Sequence, residues 1–552
     1  MAYSSELKSK MASARRLENR QLPELPYDSI RSLFIDRLNW EKTWLTYINS
    51  NNNRVELSYR EFCGKTIGLA HFMNQKGLRS GDRVATVSHN HWHTVVQYFA
   101  AWLLGVVVVP VNVGEDDERI SYIIQHAGVK LAFVREDYRE RMHNIINSDR
   151  NLADIEVCII GDKLDPYLKS GTMDELPGSV SGEANALIVY TSGTTGNPKG
   201  VLLSQNNLME DARSISEWHS IDPESRMMCV LPIHHVNGTV VTLVTPFYAG
   251  SSVVLAQKFR VGSFFRIIQE EGVHIVSVVP TLLQFLNNEY KEKKAPIIPG
   301  FSHFICGAGP LTVNVAQQFE DTFSTRIIHG YGLSETTCYS CYLPLDLDDR
   351  EHKTWMRDYG YPSMGIPLPV NEMQIHDAYG NLLSENERGE IVIRGVNVMK
   401  EYFGNEDANE KAFTYGWFRS GDEGFYKLDK KGRPFFFITG RLKELIIRGG
   451  INLSPLEIDE IIGKAPGVET GIAVGFENDW YGEEVGAYVK MRPGEMQDAA
   501  RIIKFCAEKL PFMKKPKVVV FGDDIPVTST GKYQRLKIAG LFSEWKNKQF
   551  KK

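Results

Sequence analysis

Cysteine is scarce: there are seven in 552 residues, an odd number spread from Cys63 to Cys506. That is too thin for a disulfide framework and suits a reducing compartment. The closest pair, Cys338-Tyr-Ser-Cys341, lacks the second pair that a four-ligand zinc site needs, and it reads as two inert, partly buried thiols. Long apolar runs are missing too. The most apolar stretch, residues 99–113, contains Gly105 and Pro110 and falls short of the roughly 20 apolar residues of a membrane-spanning helix. It reads as a buried helix end running into a buried strand over residues 106–109. Neither sign of charge dominates, with 63 Lys and Arg against 68 Asp and Glu and a net charge of −5. This excludes whole-surface attraction to nucleic acid or an anionic membrane. The first thirty residues mix Arg15, Arg16 and Arg20 with Glu6, Glu18 and Glu24 around no apolar core, unlike a secretory signal or an acidic-poor transit peptide. A cytoplasmic protein is expected.

The chain is long enough for several packed units, and its 43% apolar and 24% charged residues are those of an ordinary globular protein. Short β-branched runs at residues 83–88, 131–134, 157–160, 252–255 and 274–279 alternate with helical patterns, which predicts α/β subdomains with parallel sheets. Near Val370 the texture changes to hairpins, with turns at Asp377-Ala-Tyr-Gly-Asn381 and Asp429-Lys-Lys-Gly-Arg433, as in a small β-barrel-like section. After Gly440 a further segment opens. Ser454-Pro-Leu-Glu457 has the pattern of a capping box with proline at the first helical position. The reading is a large domain over residues 1–440 and a small α/β domain over residues 441–552.

The strongest local signal is the strand Leu187-Ile-Val-Tyr190 running into Thr191-Ser-Gly-Thr-Thr-Gly-Asn-Pro-Lys-Gly200. Hydroxyls, backbone N–H groups and one ammonium can surround phosphate oxygens there, and the glycines permit close approach. Gly193 and Lys199 do not fit the G-x-x-x-x-G-K-[ST] register, so this is not a Walker A loop. Further on come His329-Gly-Tyr-Gly-Leu-Ser-Glu-Thr-Thr337, Trp417-Phe-Arg-Ser-Gly-Asp-Glu-Gly424, Gly440-Arg-Leu-Lys-Glu-Leu-Ile-Ile-Arg-Gly-Gly450 and Pro526-Val-Thr-Ser-Thr-Gly-Lys-Tyr-Gln-Arg535. These five motifs, in this order, closely resemble the adenylate-forming superfamily of acyl-CoA synthetases, nonribosomal adenylation domains and beetle luciferases.

The resemblance implies a set of roles. Thr191, Ser192, Gly193, Thr194, Thr195 and Lys199 would close over the β- and γ-phosphates of ATP. Gly307-Ala308-Gly309-Pro310 would carry the adenine along its backbone, and Tyr331, followed by Gly332, would stack on it. Ser334 and Thr336 would lie near the α-phosphate and Glu335 would bind Mg²⁺, a hard oxygen ligand for a hard cation. Asp422 would accept the ribose hydroxyls and Arg441 would hold ribose or phosphate oxygens. This chain has Arg-Ser-Gly-Asp where many relatives have Arg-Thr-Gly-Asp. Lys532 would be the adenylation lysine, aimed at charge that develops in the transition state. Lys443 would be the hinge between two half-reactions, and Gly449 and Gly450 would give room to a pantetheine arm.

The implied reaction joins an acid to AMP with release of pyrophosphate, then passes the acyl group to a thiol. No protein nucleophile is needed, and no G-x-S-x-G signature is present. In Pro232-Ile-His-His-Val-Asn-Gly238 the family register makes His235 the gate of the acid site. Val236, Gly238, Ala308 and Gly332 are expected around the acyl group. No aspartate occurs over residues 231–245, which argues against an amino-acid ammonium in a dry pocket. The expected acid is aliphatic, a fatty or related acyl group, and the expected thiol is CoA. A stand-alone enzyme loading a separate carrier protein, a luciferase-like oxygenase and a silent ATP-binding protein remain open. The expected partners are a small carboxylic acid, CoA or a carrier protein, and a second copy in a homodimer, with no nucleic acid and no transmembrane segment.

Overall fold

The computed structural model describes residues 3–191, 197–527 and 533–550. Its α/β architecture rests on four sheets. A nine-stranded sheet has a parallel centre, Ile327–Tyr331, His303–Cys306, Ile275–Val278, Arg226–Cys229, Ser252–Ala256 and Thr43–Ile48, with antiparallel edges. A seven-stranded sheet sets Val107–Val111, Arg83–Val87, Leu131–Arg135 and Glu156–Ile160 parallel, and Asn185–Thr191 beside them turns back through Lys199–Ser204. Every residue of Val107–Val111 is buried, as its unbroken apolar run requires of a central strand. The preceding helix, Trp92–Leu103, is buried along most of its length. Phe99 packs there with Trp44, Phe62 and Phe247 at ring separations of 4.7 to 5.6 Å.

The hairpin-rich section is an antiparallel sheet of Asn371–His376, Gly389–Gly395, Phe418–Leu428 and Pro434–Arg441. It stays open rather than closing as a barrel. The outer edge of its last strand is taken by Met364 and Gly365: the Gly365 carbonyl accepts from the Phe436 N–H and the Met364 N–H donates to the Phe436 carbonyl, each at 2.8 Å. The fourth sheet gathers Ile451–Leu453, Ile446–Arg448, Gly482–Met491, Val468–Asn478 and Val518–Phe521. It has its own apolar core, centred on Ile458, Ile462, Val485 and Val489.

Helix Pro455–Gly463 starts where the sequence predicts, with proline in its first turn, but the capping box does not form. Ser454 Oγ donates to the Thr439 carbonyl, and Glu457 takes the Lys514 ammonium at 2.6 and 2.7 Å. Tertiary partners outcompete the local motif at both of its ends. All seven cysteines are unpaired and buried. Among the described residues, no helix is long and apolar enough to cross a membrane.

Candidate active site

The parallel strands His303–Cys306 and Ile327–Tyr331 end at a cavity of about 100 Å³, where open α/β sheets usually receive ligands. Ala308, Gly309 and Pro310 line one side, Tyr331 and Gly332 another, and Asp422 and Arg441 a third. Asp422 and Arg441 are cross-strand partners in the antiparallel sheet, so backbone register alone sets them face to face. Asp422 is 1% exposed and accepts from the Tyr331 hydroxyl at 2.7 Å through Oδ2. Its Oδ1 lies 2.9 Å from Arg441 Nε, yet it has no aligned hydrogen-bond donor among the described residues. A buried carboxylate oxygen in that state is costly until a donor arrives. The Asp422 charge in turn raises the Arg441 guanidinium above its ordinary value.

Thr191 and Lys199 face each other across the strand pair that brackets the expected phosphate loop. Ser192, Gly193, Thr194 and Thr195 lie outside the described residues. The Lys199 ammonium stands 4.7 Å from the Tyr402 ring centre, and the Tyr402 hydroxyl donates to Glu335 at 2.7 Å. Partial burial lowers the Lys199 ammonium, Glu335 opposes that shift, and Lys443 from the far side of the chain adds to it. The strand ends and the 3₁₀ turn Ser334–Thr336 thus gather Thr191, Lys199, Glu335 and Lys443 into one charged region.

Mg²⁺ fits this region on chemical grounds. Glu335 is 9% exposed and fixed at one oxygen by Tyr402 and at its carbonyl by the Met399 N–H, 2.8 Å away. No group of three or more His, Cys, Asp or Glu among the described residues could cage a metal by itself. One fixed carboxylate beside phosphates is how Mg²⁺ is usually held, with substrate oxygens and water completing its shell.

A larger cavity, about 580 Å³, adjoins the first, and both are lined by Ala308 and Tyr533. His234 and His235 lie on its wall, with Val230, Val279, Leu282 and Phe285 supplying apolar surface. Asn90 shapes that wall by accepting from the Ile233 N–H at 2.8 Å and donating to the Leu231 and Ala256 carbonyls at 2.9 and 3.1 Å. Burial and the neighbouring His235 hold the His234 imidazole well below its ordinary value, so it is neutral. The carboxylates that border the cavity, Glu469, Asp523 and Asp524, come from the C-terminal segment.

Several expected residues lie elsewhere. Val236 is 7% exposed and packed into the core rather than lining the cavity. Gly238 makes space for backbone, since a Cβ there would meet the Pro232 carbonyl oxygen at 2.3 Å. Gly332 borders the smaller cavity rather than the larger one, and a Cβ on it would reach the Cys338 carbonyl oxygen at 1.9 Å. Close backbone packing, not substrate room, is what those two glycines serve in this structure. Gly307 is likewise closed in by Tyr339 and Gly330. Gly449 and Gly450, at φ of 58° and 80°, form the exposed turn between Ile446–Arg448 and Ile451–Leu453, and neither lines either of these two cavities. Arg448 beside them is fully buried, held bidentately by Glu484 at 2.7 and 2.8 Å. Lys532 lies outside the described residues, but its neighbour Tyr533 lines both cavities and bridges Val527. Sequence reasoning missed Tyr402 and Tyr533; no local pattern marks Tyr402, whereas Tyr533 directly follows a motif lysine.

Residues 37–403 match the family described as AMP-binding enzyme, and residues 457–532 match the AMP-binding enzyme C-terminal domain. A sulfoacetate–CoA ligase of Cupriavidus necator is 33% identical over 472 residues, covering 84% of this chain and 88% of the relative. A long-chain-fatty-acid–CoA ligase of Mycobacterium tuberculosis is 30% identical over 484 residues, 87% of this chain and 92% of the relative. Among solved structures, ATP-bound MatB from Rhodopseudomonas palustris superposes with a TM-score of 0.83 at 25% identity, covering 94% of this chain and 99% of that one.

Proposed function

Since the chain belongs to the AMP-binding enzyme family, we propose that it is an acid–thiol ligase that makes acyl-AMP from an aliphatic carboxylic acid and Mg·ATP and then transfers the acyl group to CoA. The observation that carries this reading is the junction of two cavities at Ala308 and Tyr533. One presents a buried carboxylate oxygen without a donor, suited to ribose hydroxyls, and the other an apolar wall with two histidines.

In the first step a carboxylate oxygen of the acid attacks the α-phosphorus, the bond to the β-phosphate oxygen breaks, and pyrophosphate leaves with the electron pair. Asp422 and Arg441 fix the ribose, Tyr331 and residues 307–310 frame the adenine, and Ser334 and Thr336 border the α-phosphate. Thr191, Ser192, Thr194, Thr195 and Lys199 hold the outer phosphates, while Glu335 holds Mg²⁺, which offsets phosphate charge when bound. Lys532 stabilises the charge that grows between carboxylate and α-phosphate, and a preorganised donor of that kind contributes roughly 10²- to 10³-fold. His235 lines the acid's entry. In the second step the thiol sulfur attacks the acyl carbon, the acyl–phosphate C–O bond breaks, AMP departs, and the thiol proton passes to solvent.

We take residues 1–440 as the large domain and 441–552 as the small one, turning at Lys443 between steps. A cytoplasmic location, which suits seven unpaired thiols, and a homodimer belong to the same proposal. Pyrophosphate and AMP release from C4 to C16 fatty acids, oxalate, sulfoacetate and benzoates, each with and without CoA, tests it. Fatty acids are expected to give the highest kcat/KM, with AMP turnover dependent on CoA. A clear preference for aromatic acids, or turnover only with a carrier protein, would overturn the assignment of acid or thiol.

A further inference from the structure

Behind the Ser334-Glu335-Thr336 turn lies a set of buried polar groups that neither cavity uses. Asp211, on helix Gln205–Trp218, is fully buried and has no ion-pair partner among the described residues. It accepts from Asn397 Nδ2 at 3.1 Å and from the Tyr339 N–H at 3.4 Å. The same Asn397 amide reaches the Thr336 carbonyl at 3.2 Å and the Tyr339 carbonyl at 3.0 Å, and the Asn397 backbone carbonyl accepts from Thr337 Oγ1 at 2.6 Å.

These bonds surround a strained residue. Thr337 is β-branched, completely buried, and held at φ 64°, ψ −58°. The Cys338 N–H bonds back to the Thr336 carbonyl at 2.7 Å, which closes a γ-turn of the rarer hand. A backbone of this kind is costly for a β-branched residue and persists only where its surroundings over-determine it. Two residues upstream is Glu335.

The charge state of the clamp follows from its burial. A carboxylate with no cation in a dry interior is unfavourable, and burial pushes Asp211 up to about 8, so it holds a proton at neutral pH. Asn397 Oδ1 is buried and without a donor. A proton makes Asp211 a donor as well as an acceptor among these buried polar groups. We propose that Asp211 and Asn397 are positioning residues that hold the strained turn at Thr337, and through it Glu335, in the geometry that engages Mg·ATP. This rests on the reading of Glu335 as the magnesium carboxylate.

The titratable groups facing Asp211 are the Cys338 thiol and the Tyr342 phenol, both pushed well up by burial and therefore uncharged. On its own helix Glu210 pairs with Arg213. Glu217 lies six residues further along the same helix; the π-helical segment Asn237–Val244 packed against it has no ionisable side chain, helix Thr245–Ala249 brings only Tyr248, strand Asn185–Thr191 only Tyr190, and strand Lys199–Ser204 only Lys199 at its far end.

The test is acid-dependent ATP–pyrophosphate exchange, without thiol, on wild type, Asp211→Asn, Asp211→Ala and Glu335→Gln, with Mg·ATP varied across pH 7 to 9. One pH unit above the Asp211 midpoint leaves about a tenth of the chain competent, so the wild-type KM for Mg·ATP should rise about tenfold by pH 9. An amide at position 211 keeps the 3.1 Å bond from Asn397, gives up the longer 3.4 Å one from the Tyr339 N–H, and does not ionise, so Asp211→Asn should lack that rise, whereas Asp211→Ala should have a raised KM at every pH. Should Asp211→Ala fail to fold, the Asp211→Asn profile still decides. Matching alkaline profiles in wild type and Asp211→Asn overturn the clamp alone, provided Glu335→Gln raises the KM. An unchanged KM in Glu335→Gln overturns the Glu335 reading and this inference with it.

Discussion

Asp422→Asn is the substitution whose effect the structure specifies most fully. The side chain keeps its size, so the sheet that positions it is undisturbed, but the charge that faces Arg441 at 2.9 Å disappears. Tyr331 loses a charged acceptor at 2.7 Å, and Oδ1, ion-paired with Arg441 but without an aligned hydrogen-bond donor, no longer offers an anionic acceptor to ribose. A hydrogen bond to a charged group contributes about 1.5–3 kcal/mol net. Loss of one or two such bonds to ribose therefore amounts to about 3 kcal/mol, or roughly 10²-fold in the KM for ATP. Arg441 is 39% exposed, so the cation left behind is solvated and the fold loses little. The assay is pyrophosphate exchange with ATP, 2′-deoxy-ATP and 3′-deoxy-ATP. Wild type should prefer the full ribose, and the variant should treat all three nearly alike. A variant that keeps the wild-type KM and the wild-type preference would refute the assignment of Asp422 to the ribose.

Tyr402→Phe removes the 2.7 Å bond that fixes Glu335 and should raise the Mg²⁺ concentration for half-maximal exchange about 5- to 30-fold, the equivalent of about 1–2 kcal/mol; an unchanged Mg²⁺ titration would count against it. Arg448→Ala strands Glu484 at zero exposure and should cost about 3–5 kcal/mol in urea unfolding, while Arg448→Met with Glu484→Leu should recover much of that. Burial holds His93 down to about 3 and His303 and His329 down to about 4, below the ordinary 6.5. The unfolded chain therefore takes up these protons first, and the contribution of these three histidines to stability should be constant above about pH 6.5 and fall from there down to about 3 to 4. His303→Gln should lessen that fall, as read from urea midpoints across the same range.

The parts of the site that were legible in the sequence are those whose chemistry is local. Glycines and hydroxyls flanking Lys199, or Asp422 directly after Gly421, need only near neighbours to be recognised. The alternation of strands and helices was legible for the same reason, because period and turn residues are local signals. Ser454 and Glu457 show where that fails. The motif is right for a cap, but Thr439 and Lys514, both distant in sequence, supply stronger partners. Tyr402 reaches Glu335 across 67 positions and Asn397 reaches Asp211 across 186, and no periodicity encodes such pairs. Gly238 and Gly332 signal tight packing, and the sequence alone cannot tell a packed backbone from a ligand's path.

The central claim is that acid and nucleotide react with each other in one step and that the thiol acts in another. Labelled pyrophosphate exchange into ATP, paired with CoA thiolysis of supplied acyl-AMP, separates the two in wild type and Lys532→Ala. Exchange should require the acid and should vanish in the variant, while thiolysis should persist within about threefold. Exchange without acid, or equal loss of both steps in Lys532→Ala, would contradict the account.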